Sequence, residues 1–340
     1  MKPFSKIRIS LVGKRRLAGV VAVLLGIAVA GVLAPGPVRS GVPGSRQHNA
    51  SAVARARAAF INRMSSHRPL VRSTSAALAA GGGTTSLASV NWSGYTDIEG
   101  GSNRVSSVSG EWLIPYVQCP SGSYQYQDAF NAQWVGIDGA TNGTVEQLGS
   151  ATQCFEGVTY YYVWYEMFPG GTVEEGTLAC INNNVDCPQP GDLIKASVTV
   201  TPAGNYTLSL TDVNHPAESF TVVASCAPST CLDSSAEWIM ERPAFALPFG
   251  FQITPLVNFF EAGFFNGTLT SGGRTTEIED FKDGPVYDVQ MSDDTGSYWL
   301  DCVGQQPWGG PKLLLTSNPN ACRAVSPSHG SFTIAWDSSF

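Results

Sequence analysis

The chain has 340 residues, 43% of them hydrophobic and 10% aromatic, with 20 Lys and Arg against 27 Asp and Glu and a formal charge of −7. That length and apolar content suffice for a sizeable core, whereas the sparse positive charge excludes a nucleic-acid surface, which would have to attract phosphate. The average hides a division, because all 27 acidic residues lie after residue 85 and 13 of the 20 basic ones lie at or before it. Residues 86–340 therefore hold 7 basic against 27 acidic residues, a formal −20. Protonating carboxylates relieves self-repulsion of that size, so the pattern points to an acidic medium.

In chain order, Lys2, Lys6, Arg8, Lys14, Arg15 and Arg16 precede an apolar run from Leu17 to Ala34 that ends in small residues before Pro35. This predicts a secretory signal peptide over residues 1–34. A membrane anchor is the alternative, since the run is almost long enough to span; its many Gly and Ala and its small-residue exit favour cleavage. Residues 35–85 are rich in Ala, Ser, Gly and Arg, allow one short helix around Ala52 to Met64, and end in Gly81-Gly82-Gly83. They read as a basic propeptide and linker, against the plainer alternative of a disordered basic tail. The propeptide is expected to dock on the acidic domain at neutral pH as the protein's own inhibitor, and to leave when carboxylates are protonated.

From residue 86 to 340 one domain is expected. Short segments with period-2 alternation or β-branched and aromatic enrichment predict strands at Val105 to Ile114, Phe130 to Ile137, Thr159 to Phe168, Leu193 to Thr201 and Tyr206 to Thr211. Others follow at Ser219 to Ala224, Ala236 to Arg242, Tyr287 to Met291 and Phe332 to Trp336, separated by Gly, Pro, Asn and Asp clusters. The fold class is therefore all-β, a sandwich of two packed antiparallel sheets. All eight cysteines lie in this part, and an even count after a signal peptide implies disulfides. Short local loops suggest Cys180 with Cys187 and Cys226 with Cys231, leaving Cys119 with Cys154 and Cys302 with Cys322, although sequence alone permits many connectivities. No spacing suits zinc, and the only histidines after the leader are His215 and His329, so neither a metal centre nor any other cofactor is expected. The same scarcity weakens a Ser-His-Asp or Cys-His scheme.

Three stretches combine strand character with polar groups that a plain core avoids. They are Ala132-Gln133-Trp134-Val135-Gly136-Ile137-Asp138-Gly139 with the nearby Glu146-Gln147-Leu148-Gly149, then Trp164-Tyr165-Glu166, then Ala236-Glu237-Trp238-Ile239-Met240-Glu241. In the last, alternation puts Glu237, Ile239 and Glu241 on one face and Trp238 and Met240 on the other. The plain expectation for the first face is that it is solvated, with Trp238 and Met240 in the core.

These segments, with Ser89-Val90-Asn91-Trp92-Ser93-Gly94 before them, stand in the order seen in the glutamic peptidases, or eqolisins, and the chain resembles that family over most of residues 86–340. The resemblance implies a secreted precursor with a basic propeptide, a concanavalin A-like sandwich of two seven-stranded antiparallel sheets, and metal-independent cleavage of polypeptides in acid. It also implies a catalytic pair, Glu241 and Gln147, with Trp92, Trp134, Asp138 and Glu166 lining or supporting the cleft. Glu237 is the other candidate for the acid. One departure is visible after Gln147, where Gly149-Ser150-Ala151-Thr152-Gln153-Cys154 lacks the carboxylate that fungal members carry.

The residue types suit that chemistry. A Glu titrating near pH ~4.3 serves as base and then acid only in acidic medium, so activity should fall steeply one to two units above that value. Rival functions were a glycoside hydrolase and a non-catalytic carbohydrate-binding sandwich stacking sugars on Trp92, Trp134 and Trp164. Glu237 and Glu241 on one strand would stand roughly 13 Å apart, beyond the reach of a sugar-cleaving pair, which would then need Glu166 or Asp138. Asp294-Thr295-Gly296 matches the triplet of pepsin-like enzymes but occurs once, among turn residues. No membrane or nucleic-acid partner is expected once the signal is removed, and the processed protein is expected to be a monomer.

Overall fold

Alternating apolar and small polar residues give 18 strands among the described residues, of which they make up 64%. The computed structural model describes residues 67–72, 85–100, 103–121, 128–155, 157–181, 187–226, 230–247, 250–278, 286–292, 301–304 and 330–336. All of these fall within the unit formed by Gly44–Phe340. The signal peptide, the short leader helix and the Asp294-Thr295-Gly296 turn lie outside the described residues. Among the described residues no helix is long and apolar enough to cross a membrane.

One sheet runs, edge to edge, through β1 (Thr85–Ser89), β16 (Val286–Met291), β2 (Trp92–Ile98), β11 (Ser235–Glu241), β4 (Ala129–Ile137), β5 (Val145–Phe155), β6 (Val158–Phe168) and β7 (Val173–Ile181). The second runs through β10 (Phe220–Ser225), β9 (Asn205–Asp212), β8 (Leu193–Val200), β3 (Val105–Leu113), β14 (Glu261–Ser271), β18 (Phe332–Trp336) and β17 (Asp301–Gly304), with β15 (Arg274–Glu277) paired to β14. A separate hairpin joins β12 (Ala244–Leu247) to β13 (Gly250–Ile253). Among the described residues each large sheet thus has eight strands, where the resemblance implied seven. One pairing is parallel, where β16 inserts between β1 and β2.

Between the sheets lies a core that includes Trp112, Val135, Leu148, Val198, Leu208, Trp238, Met240 and Phe264. Trp238 is wholly buried and donates its indole N–H to the Ser109 carbonyl at 2.7 Å, so its one polar atom is satisfied inside the core. The disulfide Cys226–Cys231 is formed as its short loop suggested, and Cys119–Cys154 is formed as the pairing that was left. Cys187 is also disulfide-bonded, while the side chains of Cys180, Cys302 and Cys322 lie outside those described.

Candidate active site

The other face of the first sheet is covered, not solvated. Glu237, Ile239 and Glu241 are fully buried, contrary to the plain expectation for an alternating outer face. Ile239 packs there with Trp92, Trp134, Val145, Tyr162 and Trp164 in a second apolar cluster. The register explains which residues meet. Glu237, Gly136, Gln147 and Glu166 form one row across β11, β4, β5 and β6, and Ile239, Trp134, Gly149 and Trp164 form the next. Glu241 stands one row further, opposite Ala132 and Trp92. Two glycines make the rows compatible: a Cβ on Gly149 would stand 2.6 Å from Trp134 Cβ, and one on Gly136 would stand 2.9 Å from Trp134 Cζ3. Their missing side chains let the Trp134 ring lie along the sheet toward Glu241.

Three side chains then converge on one point. Trp134 Nε1 donates to Glu241 Oε2 at 2.9 Å. Gln147 Nε2 donates one hydrogen to Glu166 Oε2 at 3.2 Å and the other to the main-chain carbonyl of His67 at 3.3 Å. Two acceptors on one nitrogen fix which end of the amide points inward. His67 Nδ1 in turn lies 2.6 Å from Glu241 Oε2, and its ring stacks on Trp164 with centroids 3.9 Å apart and planes 4° from parallel. His67 lies in the segment expected to be a propeptide, where sequence reasoning assigned it no role. The available signal was His67-Arg68-Pro69-Leu70-Val71-Arg72, where a proline and two larger apolar residues break the Ala, Ser, Gly and Arg background.

Charge in this pocket is expensive. Burial pushes the Glu241 carboxyl above its ordinary range, and the neighbouring His67, Trp134 and Trp92 pull it back. Burial pushes Glu166 well up, and the nearby Glu241 pushes the same way. A protonated Glu166 still offers an oxygen to the Gln147 amide, so the pair persists in acid.

Asp138 and Glu237 serve elsewhere. Asp138, at φ 71°, accepts from the main-chain N–H of Leu232 and Asp233 through Oδ2 and from the N–H and hydroxyl of Ser234 through Oδ1. It anchors the loop entering β11. Glu237 accepts from Thr96 Oγ1 at 3.3 Å. The departure after Gln147 is also explained locally. Ala151 packs in the tryptophan cluster, Ser150 takes the Trp112 indole N–H at 2.9 Å, and Cys154 is tied to Cys119. Asn91, which opens the glycosylation triplet Asn91-Trp92-Ser93, is buried.

Among the described residues two groups bring three potential metal ligands together. Glu146 with Cys226 and Cys231 fails chemically, since both sulfurs are spent in a disulfide. Asp212 ends β9 of the second sheet, with Asp192 and His215 in the loops beside it, and the three are already engaged: His215 Nδ1 lies 2.6 Å from Asp192 Oδ2, and Asp212 Oδ1 accepts the N–H groups of Asn214 and His215.

The sequence profile of the Peptidase A4 family matches residues 90–302, which contain Trp92, Gln147, Glu166 and Glu241. The chain belongs to this family, the glutamic peptidases. Its fold is that of scytalido-glutamic peptidase, solved with a transition-state analogue inhibitor: 20% identity, TM-score 0.53, 73% of this chain and 98% of that one covered. SCP-B, an eqolisin solved with the tripeptide Ala-Ile-His, is similar at 19% identity and TM-score 0.50, with 73% and 98% covered. A search of curated proteins finds no match. Membership makes this protein a peptidase, a hydrolase of peptide bonds, which favours that reading over the glycosidase and sugar-binding alternatives.

Proposed function

We propose that this peptidase is a secreted, acid-acting endopeptidase that works through Glu241 and Gln147 without a metal. The observation that carries the assignment is that both side chains reach the same residue of a bound peptide segment. Gln147 donates to its main-chain carbonyl while Glu241 stands beside it, held by the Trp134 indole. With substrate in place of that segment, Glu241 as carboxylate takes a proton from the attacking water and returns it to the leaving nitrogen. The electron pair of the carbonyl moves onto oxygen, and the Gln147 N–H stabilises the charge that develops there. Glu166, by accepting the second amide hydrogen, keeps the first aimed at the carbonyl.

SCP-B and scytalido-glutamic peptidase accommodate peptide-like ligands, which supports polypeptide substrates here. The basic leader with its apolar run and the disulfides support secretion as a precursor.

Gln147→Ala tests the dyad. The processed variant is expected to lose about 10²- to 10³-fold in kcat, the usual effect of deleting one oxyanion donor, with KM changing much less. Steady-state kinetics on a quenched fluorogenic peptide at pH 3–4 reads both constants. A kcat equal to that of the parent would remove Gln147 from the mechanism.

A further inference from the structure

The bonds that hold residues 67–72 in the cleft fall mostly on main-chain atoms. Beyond the His67 carbonyl that receives the Gln147 hydrogen, the chain passes Asn91, whose Nδ2 lies 3.3 Å from the Arg68 carbonyl and 3.4 Å from that of Pro69. Leu70 N–H donates to the Gly139 carbonyl at 3.1 Å, Val71 N–H to Asn91 Oδ1 at 2.9 Å, and Val90 N–H to the Val71 carbonyl at 3.0 Å. Pro69, at a bend, has no N–H to give. Every polypeptide offers the same main-chain groups, so these bonds are open to any chain that places a carbonyl on Gln147 and runs in this direction.

Asn91 is suited to this task by its chemistry and by its place. It stands in the two-residue link between β1 and β2. Its amide accepts and donates at once, Oδ1 taking the Val71 N–H while Nδ2 faces two carbonyls, which neither a carboxylate nor an aliphatic side chain could do. The Ser89 hydroxyl lies 3.0 Å from Oδ1 and accepts the N–H groups of Asn91 and Trp92, which fixes the link. The Asn91 carbonyl accepts the N–H of Arg242, the residue after Glu241, at 2.8 Å, and Trp92 stands opposite Glu241 across the strand pairing. A chain pinned by Asn91 is therefore pinned relative to Glu241. Two side chains are received as well. The Arg68 guanidinium sits 4.1 Å above the centroid of the exposed Phe251 ring on β13, and Leu70 packs against the tryptophan cluster. The Arg68 contact persists in acid, since the guanidinium keeps its charge and the ring has none to lose.

We propose, on the assignment of Glu241 and Gln147 above, that this peptidase selects its substrates on the leaving-group side of the scissile bond, with Asn91 as the main-chain clamp and Phe251 as the seat of a cationic side chain. The His67 position gives the scissile carbonyl, so Arg68 stands for the first leaving-side residue and Val71 for the fourth. Phe251 receives the first side chain, the tryptophan cluster an aliphatic third, and Asn91 holds the main chain from the first residue to the fourth. The preferred substrate is a flexible polypeptide with at least four residues beyond the cut, carrying Arg or Lys directly after it. Release of short C-terminal fragments is disfavoured, because they reach neither Asn91 Oδ1 nor the Val90 N–H.

The test is kinetics at pH 4 on fluorogenic peptides that differ only after the cleaved bond, with the cut located by mass spectrometry. In the processed parent, lengthening the leaving side from two residues to five should raise kcat/KM at least about tenfold. N-methylation of the fourth leaving-side residue removes the N–H that Asn91 Oδ1 accepts and should cost about tenfold; N-methylation of the second, where Pro69 already fits, should cost less than about twofold. These peptides need no variant to fold. In Asn91→Ala the length gain should shrink at least about fivefold, whereas a merely structural loss lowers both rates together and leaves the gain intact. Phe251→Ser should cut the parent's preference for Arg over Gln at the first leaving-side position about threefold. A parent with no length gain, or one that tolerates both N-methylated peptides alike, would overturn the clamp, and an unchanged preference in Phe251→Ser would overturn the seat. If the processed protein hydrolyses none of the peptides, the proposed function fails. Binding of the two N-methylated peptides to that same protein, followed by tryptophan fluorescence, then decides the clamp by itself: weaker binding of the fourth-residue peptide supports it and equal binding overturns it.

Discussion

Glu241→Gln in the processed protein is expected to lower kcat for peptide hydrolysis by about 10²- to 10⁴-fold, the range for losing a general acid–base group. Glu237→Gln should leave kcat nearly unchanged. Both residues lie on one face of β11, and sequence alternation treats them alike. The structure separates them. Glu241 meets Trp134 Nε1 and His67 Nδ1, two rows from Gln147 on the side where residues 67–72 lie, whereas Glu237, in the row of Gln147, is tied to Thr96. Burial pushes the Glu237 carboxyl well up, with Asp138 and Asp97 adding to the shift, so it is already a neutral acid in the working range. An amide of the same shape replaces it at little cost. Glu241→Gln keeps an oxygen for the Trp134 indole but cannot carry a proton to the leaving nitrogen. Thermal denaturation run beside the kinetics distinguishes lost chemistry from lost fold. Inactivation by Glu237→Gln with Glu241→Gln active would reverse the assignment.

The second large effect is on stability. The Glu146 carboxyl is pushed up to about 10 by burial first and then by the neighbouring Asp138, Asp233 and Glu237. Glu166 and Glu237 are shifted the same way. A carboxyl whose folded value lies above its unfolded one binds its proton more tightly in the folded state. The stability it contributes is complete below the unfolded value near 4.5 and is lost as pH rises toward the folded value. For Glu146 alone the loss between pH 4.5 and pH 7 is roughly 3 kcal/mol at about 1.4 kcal/mol per unit. That is a large share of the roughly 5–15 kcal/mol that holds a domain together. The mutual repulsion of the acidic domain acts in the same direction. Tm measured from pH 3 to pH 8 should therefore be highest below about pH 5 and fall toward neutrality. Glu146→Gln should recover roughly 5–10 °C at pH 7 while changing little at pH 4. A Tm that climbs from pH 4 to pH 7 would contradict this.

How much of this was legible in the sequence differs from strand to strand. The strands β3, β4, β6, β8, β9, β10, β11, β16 and β18 were found within a residue or two, because each shows alternation or β-branched and aromatic enrichment. β5 was missed because its cleft face reads Gln147, Gly149, Ala151 and Gln153, small or polar residues chosen to lie beneath Trp134 and Tyr162 and not to signal a strand. β14 was missed because Asn266-Gly267 looks like a turn. The structure absorbs it as a bulge, with Asn266 at φ 52° and a register shift between Phe265 and Thr268. The site divides likewise. Trp134, Gln147, Glu166 and Glu241 could be named from local motifs, but their convergence depends on register between four strands. Asp138 could be named, but its task as a loop anchor could not, since its partners Leu232 to Ser234 carry no motif. His67 was hidden by its place in a segment, residues 35–85, whose composition suggests only charge.

The most direct measurement is digestion of an unfolded protein by the processed peptidase at pH 3 and at pH 7, with pepstatin and a chelator present throughout. Cleavage at pH 3 that survives both agents and nearly vanishes at pH 7 is the predicted result, because Glu241 must act as base and then as acid within one turnover. Cleavage abolished by the chelator, or fastest at pH 7, would contradict the account.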